Sequence, residues 1–314
     1  MTPRRLGRTG LEISPCTLGT AALASHRADR REAGAMIARA LERGVNAVEL
    51  AGGDGRVADL LGSMLARAGA RSRVHVFARV TSRVRFDLPS PHIPAQQAYP
   101  GRHIRTETEA LLRTLGVERL GLQQLHAWCP EWLDEGDWRE TLERLREEGK
   151  IAGYGISLWD HDLDAAATIV AHGAADSVQL MHNIFDQGAS AGLLPFCQRH
   201  DVGVIARSPL YFGALGWDEG GPALAPHDWR DGYFYDVHRR ETLARVHRLA
   251  RDVARAGQPL SEIALRFALS HPAVTTVAVG MRTRAQLDAN LTAIEGGPLP
   301  ADEVEALAAH AWLC

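Results

Sequence analysis

Short apolar runs rich in β-branched residues recur along this chain, each separated from the next by a longer segment with helical spacing. The runs fall at Ile13–Leu18, Ala47–Leu50, Val74–Val80, Leu120–His126, Ala152–Ser157, Ser177–Leu180, Val202–Ala206 and Val274–Val279. Helical patterns cover Arg31–Arg43, about Val57–Arg67, His103–Leu115, Trp138–Glu148, Leu163–Ala171, Leu193–His200 and Arg284–Ile294. A strand that returns through a helix re-enters the sheet from the same end, so such strands pair in parallel with right-handed crossovers. Nothing interrupts the alternation. One closed α/β domain over residues 1–314, a (β/α)8 TIM barrel, is the economical solution. The alternative is an open doubly wound sheet, but no GxGxxG opens a helix after a strand, which counts against it.

Two inserts follow the third and seventh strands. Thr81–Gly101 carries Pro89, Pro91, Pro94 and Pro100; Tyr211–Val237 is rich in glycine, proline and aromatic residues. Both extended loops leave the C-terminal ends of strands, the face on which barrel sites form, so both are candidate lids. Their tyrosines, Tyr99, Tyr211, Tyr233 and Tyr235, are expected at solvated loop tips.

Composition narrows the function. With 314 residues and 46% hydrophobic content the chain can bury a sizeable core. A net charge of −3, with acid and base interspersed, argues against nucleic-acid or membrane partners. No signal peptide and no membrane span are expected. The four cysteines show neither disulfide-like nor metal-ligand spacing, which points to a reduced, cytoplasmic protein with no metal site. The cations are nearly all arginine, and Lys150 is the only lysine. Chemistry that needs a lysine therefore has one candidate.

The sequence resembles the aldo-keto reductase superfamily over essentially its whole length. The opening Arg5-Leu-Gly-Arg-Thr-Gly-Leu11 with Leu18-Gly-Thr20 is similar to the family's start, and Ala40–Val48 to the approach to its second strand. Gln124-Leu-His126, the stretch Arg146–Ser157, Ser177-Val-Gln179 with Asn183, Val204–Leu210 and Gly280–Asn290 resemble later family motifs, in the family's order. The resemblance implies NADPH-dependent reduction of a small carbonyl compound. In the family, hydride moves from the nicotinamide to the carbonyl carbon while a tyrosine protonates the oxygen. A lysine lowers the tyrosine's pKa by stabilising its phenolate, an aspartate supports the lysine, and a histidine orients the carbonyl.

Against that pattern the chain departs in a concerted way. Aligned on the family's DTAxxYG, Glu49-Leu-Ala-Gly-Gly-Asp-Gly55 puts Glu49 at the aspartate and Asp54 at the tyrosine; Arg79 stands at the lysine. Only the histidine survives, as His126. An arginine stays protonated and can neutralise an anion but cannot exchange a proton. Lys150 precedes the fifth strand, at the opposite end of a barrel from its site. The resemblance also implies a cofactor set: Ser157 and Gln179 for the carboxamide, Arg207, Ser208 and Leu210 after the seventh strand, and Gly280, Arg282, Gln286 and Asn290 as the adenosine clamp. Leu158 replaces the carboxamide-binding asparagine and Arg207 the aromatic that stacks on nicotinamide, whereas Arg282 suits the 2′-phosphate of NADP(H). Trp128 and Cys129 are expected to line the pocket, and His182 to be structural. Three functions remain open: an oxidoreductase with a relocated proton donor or with water as donor; a redox-neutral dehydratase, lyase or isomerase with Glu49 or Asp54 as base and His126 and Arg79 on the oxyanion; and a non-catalytic ligand-binding barrel. Oligomeric state is not encoded in any pattern.

Overall fold

The structure, a computed structural model, describes residues 1–21, 23, 29–50, 55–85, 93–159, 161–217, 221, 224, 228–253 and 258–312. Among these, eight parallel strands close a barrel in chain order: β1 (Cys16–Gly19), β2 (Ala47–Leu50), β3 (His75–Val80), β4 (Leu120–His126), β5 (Ile151–Ser157), β6 (Ser177–Met181), β7 (Gly203–Arg207) and β8 (Val274–Gly280). β8 closes the ring by pairing with β1, Val277 opposite Cys16. Around it lie α1 (Arg30–Glu42), α2 (Gly55–Arg67), α3 (Gly101–Leu115), α4 (Trp138–Glu147), α5 (Ala165–Ala171), α6 (Leu193–Arg199), α7 (Asp236–Val253), α8 (Leu260–Ala268), α9 (Arg284–Glu295) and α10 (Ala301–Leu307). The main core fills the space between strands and helices, where both present apolar faces.

The first strand is shorter than its apolar run predicts. Ile13 pairs antiparallel with Arg4 in a small N-terminal hairpin. Pro15 follows, with no N–H to continue a ladder, and β1 starts at Cys16. The hairpin plugs the floor of the barrel: Leu6 and Ile13, both fully buried, pack with Ala47, Phe77, Leu122, Ile205 and Ala278. Its turn needs glycine at position 7, where φ is +48° and a Cβ would stand 2.3 Å from the backbone nitrogen of Gly203.

Two helices between β7 and β8 were not located from the pattern. In α7 only His238, Thr242, Val246 and Leu249 are buried. The spacing is helical, but half the stripe is histidine and threonine, so the apolar signal is thin. That stripe, with α8 and the segment after β7, forms a second core around Phe185, Tyr211 and Phe234.

The loop after β3 is docked in its described parts. Trp132 Nε1 donates to Ile93 O at 2.8 Å, the Ala95 N–H to Glu135 Oε2 at 3.1 Å, and Tyr99 is 1% exposed with its hydroxyl on His126 O. Tyr99 and Tyr211 are therefore interior residues, a correction to the expectation of solvated tips; each phenol is buried and bonded, Tyr211 to His238 Nε2 at 3.0 Å. Tyr233 is half-buried against Tyr211 and Phe212, and Tyr235 alone is strongly exposed. No described helix is long and apolar enough to cross a membrane.

Candidate active site

Inward-facing residues of a barrel strand repeat every second position. In this chain that rule stacks two layers of opposite character. The lower layer holds Ala47, Phe77, Leu122 and Ile205. Two residues further along the same strands stand Glu49, Arg79, Gln124 and Arg207. The apolar floor thus gives way to a polar layer toward the C-terminal face, and His126 lies one further repeat up β4.

The polar layer is bonded across the barrel. Gln179 Nε2 on β6 donates to Glu49 Oε1 on β2 at 2.7 Å, and Gln124 Nε2 on β4 donates to Gln179 Oε1 at 3.1 Å. Arg79 Nη2 lies 3.4 Å from Glu49 Oε1, with side-chain exposures of 14% and 11%. Arg79 faces Gln124 in the β3–β4 register. A buried charge requires such pairing and hydrogen bonding. Gln124 was overlooked as a site residue; its signal is the period-two spacing to His126.

His126 stands above this layer, in register with Ser157. Burial, then the charges of Arg79 and Arg207, lowers its pKa to about 4, so the ring is neutral at pH 7. Arg207 Nη2 donates to Leu158 O at 3.1 Å. Trp159, on the loop just after β5, stacks on His126 with ring centroids 5.9 Å apart and planes at 24°. An aromatic two residues past a strand end was the available signal for Trp159. Trp128 is 1% exposed and packs edge-on against Trp132 and Trp138, so it backs the site instead of lining it. Cys129 is also buried, and its thiol is pushed up to about 11, chiefly by desolvation. Asp54 lies outside the described residues.

Lys150 is at the other end of the barrel, bonded to Glu109 at 2.8 Å and Glu148 at 2.7 Å. His182 is 1% exposed beside Phe267, and burial lowers its pKa to about 4. His126 and His182 together predict acid lability. Both fold with a pKa below the ordinary 6.5, so between about pH 6.5 and 4 the unfolded chain binds more protons than the folded one. Stability is full above pH 6.5 and falls as pH drops through 4, by up to about 3 kcal/mol per histidine. Urea midpoints measured from pH 7 to 4 check this; a flat profile contradicts it.

The residues assigned to a cofactor occupy the same face. Ser157 Oγ is fully buried and makes no hydrogen bond among the described residues. Ser157 pairs in register with Gln179. Ser208, at φ +53°, accepts the Asn183 side-chain amide at 3.1 Å, and Leu210 bridges the two cores. Beyond Gly280, Thr283 caps α9 through the Gln286 N–H, while Gln286 Oε1 accepts from the Arg282 N–H at 2.9 Å. Asn290 is buried one turn further on. Arg282, 56% exposed, reaches Asp228 at 3.4 Å, and Asp228 is held by Arg230 at 2.7 Å. The segment after β7 is thereby fastened to the start of α9.

The comparisons agree with this architecture. The chain is 26% identical to the uncharacterized oxidoreductase YqkF of Bacillus subtilis (strain 168), over 99% of this chain and 96% of that one. It is 25% identical to the pyridoxal 4-dehydrogenase of Microbacterium luteolum, over 93% and 92%. Among solved structures, the holo form of the aldo-keto reductase AKR11C1 from Bacillus halodurans superimposes with a TM-score of 0.78 at 26% identity, covering 99% of this chain and 96% of that one. The profile of the aldo/keto reductase family matches residues 15–311, and with the barrel and its polar upper layer this places the chain in that family.

Proposed function

We propose that this protein is an NADP(H)-dependent carbonyl oxidoreductase, acting in the cytoplasm on a small carbonyl metabolite as one barrel domain over residues 1–314. Its proton transfer does not run through a tyrosine–lysine pair. The observation that carries the reading is a neutral His126 at the C-terminal mouth, with the guanidinium groups of Arg79 and Arg207 as its charged neighbours.

The residues present fit a nicotinamide dinucleotide. At the adenosine end, Arg282 stands exposed before the capped, N–H-rich start of α9, a setting that favours a 2′-phosphate. At the ring end, the buried hydroxyl of Ser157 has a hydrogen bond to give beside Gln179, which suits a carboxamide. When bound, the cofactor supplies the hydride.

The chain's own groups do the rest. A neutral imidazole donates an N–H to the carbonyl oxygen without protonating it. Arg79 and Arg207 stabilise the negative charge that grows there, an effect strengthened by the low dielectric of the mouth. The proton then comes from water. Tyr99 and Tyr211 are committed to other partners, and Lys150 is remote. Against the redox-neutral alternative stands the engagement of Glu49 with Gln179 and Arg79, which disfavours it as a free base.

Titration with NADPH, followed by cofactor fluorescence, is the first test; no binding at millimolar concentration ends the proposal. His126→Ala is expected to lower kcat/KM about 100-fold while leaving the NADPH Kd unchanged. Unaltered turnover in that variant removes His126 from the chemistry.

A further inference from the structure

Trp159 has no part in the reading above, yet its placement is unusual. It is one of few large apolar side chains exposed among the described residues, at 43%. The others named with it, Trp229, Tyr235 and Val237, belong to the segment after β7. Trp159 instead stands at the mouth of the barrel, against the ring of His126.

The backbone leading into it is anchored. Leu158, 2% exposed, donates its N–H to Gln179 O at 2.9 Å and accepts from Arg207 Nη2 at 3.1 Å. His161, at φ +65°, has Nδ1 2.9 Å from the Asp186 carboxylate, which is itself 3% exposed. Asp186 in turn closes a tight turn with Asn183, whose side chain accepts the Asp186 N–H at 2.9 Å. The indole therefore follows directly on a strand end held by two hydrogen bonds. A preorganised platform loses little entropy when a ligand covers it.

The geometry of the two rings defines what fits. Centroids 5.9 Å apart with planes at 24° describe an offset stack. A flat carbonyl compound that accepts a hydrogen bond from His126 therefore lies within reach of the neighbouring indole. A saturated, puckered compound of the same size cannot make that flat contact.

We propose that Trp159 is a specificity-determining residue whose exposed indole face receives the plane of a conjugated carbonyl substrate, selecting aromatic and α,β-unsaturated aldehydes and ketones over saturated ones. The inference rests on His126 as the carbonyl-orienting group. Its test is a binding measurement in the presence of NADP+, which has no hydride to give, so that it stands apart from turnover.

Acetophenone and cyclohexyl methyl ketone carry the same number of carbons and differ in flatness. Calorimetric titration of the wild type is expected to give tighter binding of acetophenone. Trp159→Leu should weaken acetophenone by roughly fivefold or more, in line with the energy of an aromatic pair, and change cyclohexyl methyl ketone by less than twofold. Trp159→Phe should keep most of the preference. The melting temperature should not move in either variant, because the side chain is half in solvent. A wild type that binds the two ketones equally, or binds neither, overturns the proposal, as does a Trp159→Leu variant that weakens both alike. If the preference is found and NADPH is never consumed, the stacking role holds and the oxidoreductase reading falls. If carbonyl reduction is found with no preference for flat substrates, the reverse is true.

Discussion

Replacing Arg79 with methionine should destabilise the fold by about 3 kcal/mol, the scale of removing one partner from a buried ion pair. The change leaves the Glu49 carboxylate, 11% exposed, with the amide of Gln179 as its remaining partner among the described residues. Glu49→Gln in the Arg79→Met background should recover most of the loss, since a neutral amide at that position still accepts from Gln179 and carries no charge to desolvate. Urea unfolding of the wild type, both single variants and the double variant forms the cycle. A coupling energy near zero means that the two charges are solvated independently, and the bonded polar layer then has no energetic reality.

Rebuilding the family's proton relay should have the largest effect on rate. With Glu49→Asp, Asp54→Tyr and Arg79→Lys combined, the family pattern implies a lysine beside the new tyrosine, where it would stabilise the phenolate and make the tyrosine a competent acid. General acid catalysis of this kind contributes about 10²- to 10⁴-fold. NADPH-dependent reduction of an aromatic aldehyde should rise by at least the lower figure. The variant should also lose activity as pH rises through the tyrosine's lowered pKa, an alkaline limb that the wild type lacks. A triple variant no faster than the parent shows that proton transfer does not limit the present chain. The single change Asp54→Tyr should recover only part of this gain, since Arg79 carries the stabilising charge but is paired with Glu49.

Much of the barrel was legible because its signals are local. The strands β2 to β8 fall within one residue of their apolar runs, since strands covered by helices are apolar on both faces and read as unbroken runs. β1 is the exception, and the reason is also local: Pro15 divides one apolar run between a hairpin and the barrel. The helix α7 was missed because it buries histidine and threonine where a pattern search expects leucine.

The site was legible only in part. The charge-retaining pair Glu49 and Arg79 follows from position in the family's motif, and the structure brings the two within 3.4 Å. The bridge through Gln179 to Gln124 joins residues 55 apart in the chain, and that from Gln179 to Glu49 joins residues 130 apart. No spacing rule reaches that far, because the contact is created by closing the barrel.

The order of elements and the parallel pairing were determined by sequence alone, because each depends on residue type at a fixed spacing. Tertiary structure alone decided the environment of each group. Barrel closure stacks a polar layer on an apolar one and buries Tyr99 against the backbone of His126. It also buries the His126 imidazole and sets two guanidinium groups near it, and so holds that ring neutral at pH 7. Burial and the field of distant charges depend on distance through space, and linear sequence does not carry that distance.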